Sequence, residues 1–271
     1  MKRILTALVL IPVVVWLILK GPEWAFRGVL ALIALLCYYE FDAITERAGA
    51  SRGARSNTEA QAGIASDRTA ALIVGMIAGL ALLFVPDPGL ASVLIALLGM
   101  MLALRASNLA DAMPRAAVFT LGVIYIFGAW RFARELHSLN PHWLMFALLL
   151  SWAGDTAAMY VGKSIGRHKL APRVSPGKTW EGSIGSVVGG MLAGGVYAHY
   201  LIPSASLSIA LALAAAGNIA GQLGDLCESA LKRGAGVKDS GSSLPGHGGW
   251  LDRVDSTLFS VPVVYALLKL L

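Results

Sequence analysis

Long apolar runs broken by short polar segments are the dominant pattern along these 271 residues. Nine runs are evident, at about 4–19, 25–43, 70–86, 89–104, 116–134, 143–161, 183–202, 207–226 and 255–271. Runs of this length can satisfy their backbone groups in hydrocarbon only as helices. The pattern therefore predicts an all-α, polytopic integral membrane protein of about nine transmembrane helices. The first run follows Met1-Lys2-Arg3 as a signal peptide would, but it ends in Lys20-Gly21-Pro22-Glu23 with no small-x-small cleavage site. It is read as a retained span.

Charge orients the spans. The connections Asp87-Pro88 and Pro203-Ser204 carry no basic residue and suit outer turns. Nine spans then place 17 of the 22 Lys and Arg residues on the side of the amino terminus. Positive-inside bias makes that side cytoplasmic, and the setting expected is the plasma (bacterial inner) membrane. The same bias accounts for the net charge of +6 without nucleic acid, for which no basic tail or aromatic-basic strip exists. Cys37 and Cys227 are isolated and imply neither a disulfide framework nor a metal knuckle. The loop from Glu46 to Arg68, rich in Ala, Gly, Ser and Arg, reads as a mobile connector. One membrane domain is expected, with scaffold-like spans in 1–142 and a chemical half in 143–271. Trp24, Trp143 and Trp180 lie near span ends and read as interface anchors.

The chemical half is marked by polar residues where they are expensive. Asn218, Gln222, Asp225, Ser229 and Lys232 are spaced 4, 3, 4 and 3, which lines one helix face. Such a stripe is either a polar helix–helix contact or the wall of a wet cavity open to the cytoplasm, and its run into a basic loop favours the cavity. Between Ser229 and Asp255 the chain gathers Lys232, Arg233, Lys238, His247 and Arg253 with Asp239, Asp252 and Asp255. Asp225, Asp252 and Asp255, brought together from two helices, would supply the hard oxygens that Mg²⁺ takes alongside substrate phosphates. The alternative is that Asp252 caps the last helix and Asp255 pairs with Arg253 or Lys232. His247 is either a proton donor or phosphate ligand, or a local hydrogen-bonding element of its glycine loop. Glu228 can pair with Lys232 four residues on, and Asp155 is a second partner or a neighbour of the metal site.

A second polar loop carries Lys163, Arg167, Lys169, Arg173 and Lys178 at the membrane surface. Anionic headgroups explain the charge. They do not explain Ser175-Pro176-Gly177-Lys178-Thr179 just before a new helix, which reads as a turn aiming N–H groups and a lysine at a phosphate. It is not a Walker A loop.

At these residues the chain closely resembles the phosphatidate cytidylyltransferases, or CDP-diacylglycerol synthases. Ser229, Leu231, Lys232, Arg233, Lys238, Asp239, Pro245, His247, Gly248, Gly249, Asp252, Arg253, Val254 and Asp255 stand in that family's register. Leu223-Gly-Asp225-Leu and His168-Lys-Leu-Ala-Pro-Arg173-Val-Ser-Pro also look like family segments. Trp250 departs from an aliphatic or Phe position, and Met159 from a usual Tyr. The specific likeness covers about 150–260. It implies the reaction CTP + phosphatidic acid → CDP-diacylglycerol + pyrophosphate, in phospholipid biosynthesis. It further implies Mg²⁺, with a second metal ion as an open option, on Asp225, Asp252 and Asp255, and a homodimer. Lys232, Arg233, Lys238 and Arg253 would then neutralise triphosphate, while Ser175, Lys178 and Arg173 hold a lipid or nucleotide phosphate and Ser229 and His247 complete the binding surface.

Two rivals remain at this point. A CTP-dependent polyprenol or phytol kinase would release CDP instead of pyrophosphate. A transporter would use the polar stripe as a path, but the ionisable residues gather at one face and the outer ends lack matching charge. A CDP-alcohol phosphotransferase is disfavoured because its Asp-Gly-x-x-Ala-Arg motif is missing.

Overall fold

The computed structural model describes residues 2–52, 58–106, 108–243 and 248–270, with the side chains of 2–10, 50–52 and 58–67 outside the description. The chain is helical nearly throughout, and each of the nine apolar runs lies on a helix: α1 Lys2–Lys20, α2 Glu23–Arg52, α3 Thr58–Phe84, α4 Pro88–Ala103, α5 Ala112–Val123 continuing into α6 Ala129–Leu139, α7 Pro141–Ile165, α8 Trp180–Leu201, α9 Leu207–Gly234 and α11 Thr257–Leu270. A single turn, α10 Leu251–Val254, precedes the last. Among the described residues, five helical segments are long and apolar enough to cross a membrane: Glu23–Gly49, Leu109–Leu139, Pro141–Ile165, Trp180–Leu201 and Leu207–Gly234. Ile11–Lys20, Arg68–Phe84 and Pro88–Ala103 are apolar but shorter. This is a multi-pass membrane architecture.

Short polar residues start the helices. Asp87 accepts from Leu90 N at 3.1 Å and Asn140 from His142 N at 2.9 Å, each followed by a proline at the first helical position. Helices α5 and α6 join through a π-helical segment, Ile124–Gly128. Arg131, buried in α6, donates to the carbonyls of Leu82 at 2.9 Å and Val85 at 2.6 Å. It thereby satisfies acceptors that the end of α3 leaves open.

Small residues set the spacing of α7, α8, α9 and α11, as expected where membrane helices pack closely. A Cβ on Gly154 would fall 2.2 Å from Asn218 Nδ2, so α7 can pass the polar face of α9 only without a side chain there. Along α9, Gly217, Gly221 and Gly224 take α11, with the Asp255 carbonyl against Gly224.

Three local expectations change. The segment 46–68 is largely helical where described: α2 runs to Arg52, α3 begins at Thr58, and Arg68 pairs with Asp42 at 2.7 Å and with Glu46. Trp143 is buried and packs edge-on against Phe146, whereas Trp24 and Trp180 are exposed. Ser175–Thr179 is a strand, β2, and not a turn. It pairs antiparallel with β1, Lys169–Ala171, in the register Lys169↔Thr179 and Ala171↔Ser175. The hairpin has no sequence signal because β1 is only three residues long and β2 carries none of the alternation that marks a half-buried strand.

Candidate active site

The polar stripe on α9 divides into two zones. Towards mid-membrane, Asn218 Nδ2 donates to Leu150 O at 3.1 Å, and Gln222 Nε2 donates to Asn218 Oδ1 at 2.8 Å and Ser183 O at 3.2 Å. Ser183 Oγ donates back to Gln222 Oε1 at 2.5 Å. These residues tie α7, α8 and α9 together, which is the helix–helix contact reading. From Asp225 onward the stripe turns chemical. Asp225 Oδ2 meets Lys178 Nζ at 2.6 Å, and Oδ1 accepts from Ser229 Oγ at 3.3 Å.

The hairpin of β1 and β2 brings Lys178 there. Thr179 Oγ1 accepts from Gly182 N at 3.1 Å, capping α8, and the close approach of Gly162 to Gly182 lets the hairpin fold back over α7. The space enclosed is about 260 Å³ and is walled by Asp155, Lys163, Lys178, Thr179, Gln222 and Asp225 among others. Met159 also lines it, so the residue that departs from the family pattern sits on the cavity wall. Gln222 and Asp225 of the stripe thus reach the wall of this cavity.

Beside it lies a buried charge cluster. Lys232 Nζ is 2.5 Å from Asp252 Oδ1 and 3.2 Å from Glu228 Oε1. The Glu228 oxygens are buried beside the Asp255 carboxyl and depend on that ammonium for compensation of their charge. Asp252 Oδ2 accepts from Ser240 N at 2.9 Å and Gly249 N at 2.8 Å. Burial pushes the Asp252 carboxyl up, but the Lys232 ammonium and the Gly249 and Ser240 N–H groups outweigh it and hold the group below its ordinary value. Gly248 sits at φ 79°, and a Cβ there would lie 2.6 Å from Asp252 Oδ2. Only glycine fits both demands.

Asp255 Oδ1 accepts from Ser256 N at 2.6 Å, and its carboxylate repels those of Glu228 and Asp225. Asp155 and Asp225 repel likewise. Among the described residues, no three Asp, Glu, His or Cys side chains are already arranged as a metal cage. The donor chemistry still suits a hard cation. Mutually repelling carboxylates at Asp155, Asp225, Glu228 and Asp255 are the surroundings a divalent ion relieves, with phosphates supplying its other ligands.

The remaining predicted residues are dispersed. Arg233 donates from Nη1 to Val237 O at 3.1 Å and from Nε to Val174 O at 3.4 Å, joining the end of α9 to the hairpin tip. That end closes with Gly236 N donating to Arg233 O and Val237 N to Lys232 O, a Schellman arrangement around a glycine at φ 71°. Ser175 lies half-buried in β2, and Arg173, Lys238 and Arg253 are exposed. His247 lies outside the described residues.

Glu40 of α2 escaped the sequence reading. It is buried and accepts hydrogen bonds from four donors in the loop that carries Asp252.

Comparison with known proteins decides the family. The model of the cytidylyltransferase family matches residues 1–271. The chain belongs to that family. Similar cytidylyltransferases include a protein of Bacillus subtilis (strain 168) named phosphatidate cytidylyltransferase, 42% identical over 157 residues, which are 56% of this chain and 57% of that protein. Proteins of the same name from Staphylococcus aureus (strain COL) and Haemophilus influenzae are 40% identical over 153 residues and 38% over 152. They are covered over 59% and 53% of their own lengths, against 56% and 53% of this chain. The aligned stretch thus spans little more than half of each relative. In this chain the stretch 150–260 that carries the resemblance contains the hairpin, the cavity and the Lys232 cluster.

Proposed function

We propose that the chain transfers a cytidylyl group from CTP to the phosphate of phosphatidic acid, releasing pyrophosphate and forming CDP-diacylglycerol. The observation that carries this reading is the Lys178–Asp225 pair in a cavity whose neighbour is the Asp252–Lys232–Glu228 cluster. A lysine poised on an acid can change partner to a phosphate, and the acid it leaves is then free to take a cation. A phosphatidate oxygen forms the new bond to the α-phosphorus, and the bond to the bridging oxygen of the pyrophosphate breaks with its electron pair. The nucleophile is already anionic at neutral pH, so no general base is required. The barrier is the approach of two anions, which positioning and fixed positive charge lower.

Asp225 and Asp255 would hold Mg²⁺, with Asp155 and Glu228 beside them and a second metal ion an option of the same carboxylates. The metal would neutralise charge on the α-phosphoryl group and the departing pyrophosphate. Asp252, assigned to the same metal from its spacing, has both oxygens engaged by Lys232, Ser240 and Gly249, and the reading gives it the orienting of Lys232 instead. Lys178, Lys232, Arg173, Lys238 and Arg253 would meet phosphate, with Arg233 steadying the hairpin. The basic face of the sequence supports a cytoplasmic site in a plasma (bacterial inner) membrane, and the family resemblance supports a homodimer. No observation favours the lipid kinase or the transporter.

The test is pyrophosphate release by purified protein given CTP, phosphatidic acid and Mg²⁺, omitting each in turn. Release requiring all three, and abolished in Asp225→Asn and Asp255→Ala proteins that remain folded, supports the reading. Release without phosphatidic acid contradicts it.

A further inference from the structure

We infer that Glu40 is a positioning residue for this site, reaching it from the amino-terminal half through residues 240–243 and 249–251. The inference rests on the proposed cytidylyl transfer for its consequence, although the contact itself does not. Glu40 Oε2 accepts from Ser240 Oγ at 2.8 Å and Leu251 N at 2.9 Å. Oε1 accepts from Ser243 Oγ at 2.8 Å and Trp250 N at 3.1 Å. All four donors are neutral and all lie on the loop, at both of its described ends. A carboxylate taken out of water costs several kcal/mol unless such donors surround it.

Helix packing alone gives no reason for that acid. Its partners are the segment that leads into Asp252. Ser240 is the link: its Oγ donates to Glu40 while its N–H donates to Asp252 Oδ2, and Asp252 Oδ1 holds Lys232. The loop lies directly on the carboxylate, since a Cβ on Gly249 would come within 2.2 Å of both Glu40 Oε2 and Ser240 Oγ. Glu40, Ser240, Asp252 and Lys232 therefore form one continuous chain of contacts from α2 to the charged end of α9.

The experiment uses the full chain in detergent, as the parent and as Glu40→Gln, Ser240→Ala, Ser243→Ala and the Glu40→Gln/Ser240→Ala double variant. Glutamine keeps the shape but turns an acceptor towards donors as a second donor. Two readouts are taken: amide exchange across 239–243 and 248–254, and kcat and KM for CTP per folded molecule. Glu40→Gln should speed exchange there and lower kcat, each by about tenfold or more, with exchange in α7 unchanged. Ser240→Ala should lower kcat in the same direction, and the double variant should fall no further than Glu40→Gln alone. Ser243→Ala, off the path to Asp252, should stay within about twofold of the parent. If Glu40→Gln does not fold, Ser240→Ala carries the test with one bond removed. A kcat per folded molecule within about twofold of the parent for Glu40→Gln, or for Ser240→Ala in its place, overturns the inference. If the parent transfers no cytidylyl group, the proposed function fails and the exchange arm still decides the contact: unchanged exchange overturns it.

Discussion

Replacing Lys232 with Met should destabilise the protein by far more than loss of a surface ion pair. The side chain is of similar length and suits the helix, so the change isolates the charge. Lys232 lies between Asp252 at 2.5 Å and Glu228 at 3.2 Å, and the side chains of all three are at most 10% exposed. At an effective dielectric constant of about 20, a unit pair 3.2 Å apart attracts by about 5 kcal/mol before desolvation is charged against it. Asp252 keeps its two backbone donors when the ammonium is lost, but Glu228 then faces only another acid, Asp255. Breaking a buried pair from one side typically costs about 3–5 kcal/mol, and that is the loss expected. Adding Glu228→Gln should restore roughly half of it, because the stranded charge is removed while Asp252 still lacks its cation. Unfolding in mixed micelles titrated with a denaturing detergent, followed by tryptophan fluorescence, gives the numbers. Activity should stay lost in the double variant even as stability returns. A loss below about 1 kcal/mol for Lys232→Met, the level of an exposed pair, would refute the buried-cluster argument.

Two other outcomes follow from the same geometry. Arg233→Ala removes the guanidinium that bridges the end of α9 to Val174 O, so amide exchange at 170–178 should rise about tenfold while that of α9 before Lys232 stays unchanged. Asp252 is held below its ordinary value, so its contribution is complete above the unfolded-state pKa and is lost only as pH falls through the lower folded value. Once corrected for intrinsic exchange, protection of Ser240 N and Gly249 N should be constant between about pH 7 and pH 5 and fail only below about pH 4; loss near neutrality would contradict that assignment.

The helices were legible because apolar run length is a sufficient signal in a membrane chain, and the α9 stripe because a spacing of 4, 3, 4 and 3 has one helical reading. What the stripe faces was not legible. Asn218 and Gln222 bind helices, whereas Asp225 meets Lys178, 47 positions earlier, through a hairpin whose strands carry no periodic pattern. Asp252 could be placed near the metal by spacing alone, yet its partners are two backbone N–H groups and a lysine one loop away. Glu40 had no signal at all. A single acid in an apolar run reads as a tolerated exception, and its donors lie 200 or more residues downstream. Two of them are backbone N–H groups, which every residue but proline has.

The central claim is that the α-phosphoryl group of CTP passes to a lipid phosphate. The direct measurement supplies the purified protein with phosphatidic acid, Mg²⁺ and CTP labelled at either the α- or the γ-phosphate, and follows the label into lipid. The account predicts α-label in lipid with unlabelled-lipid controls from the γ position and pyrophosphate released in equal amount. Label arriving from the γ-phosphate, with CDP left behind, would contradict it and identify a kinase.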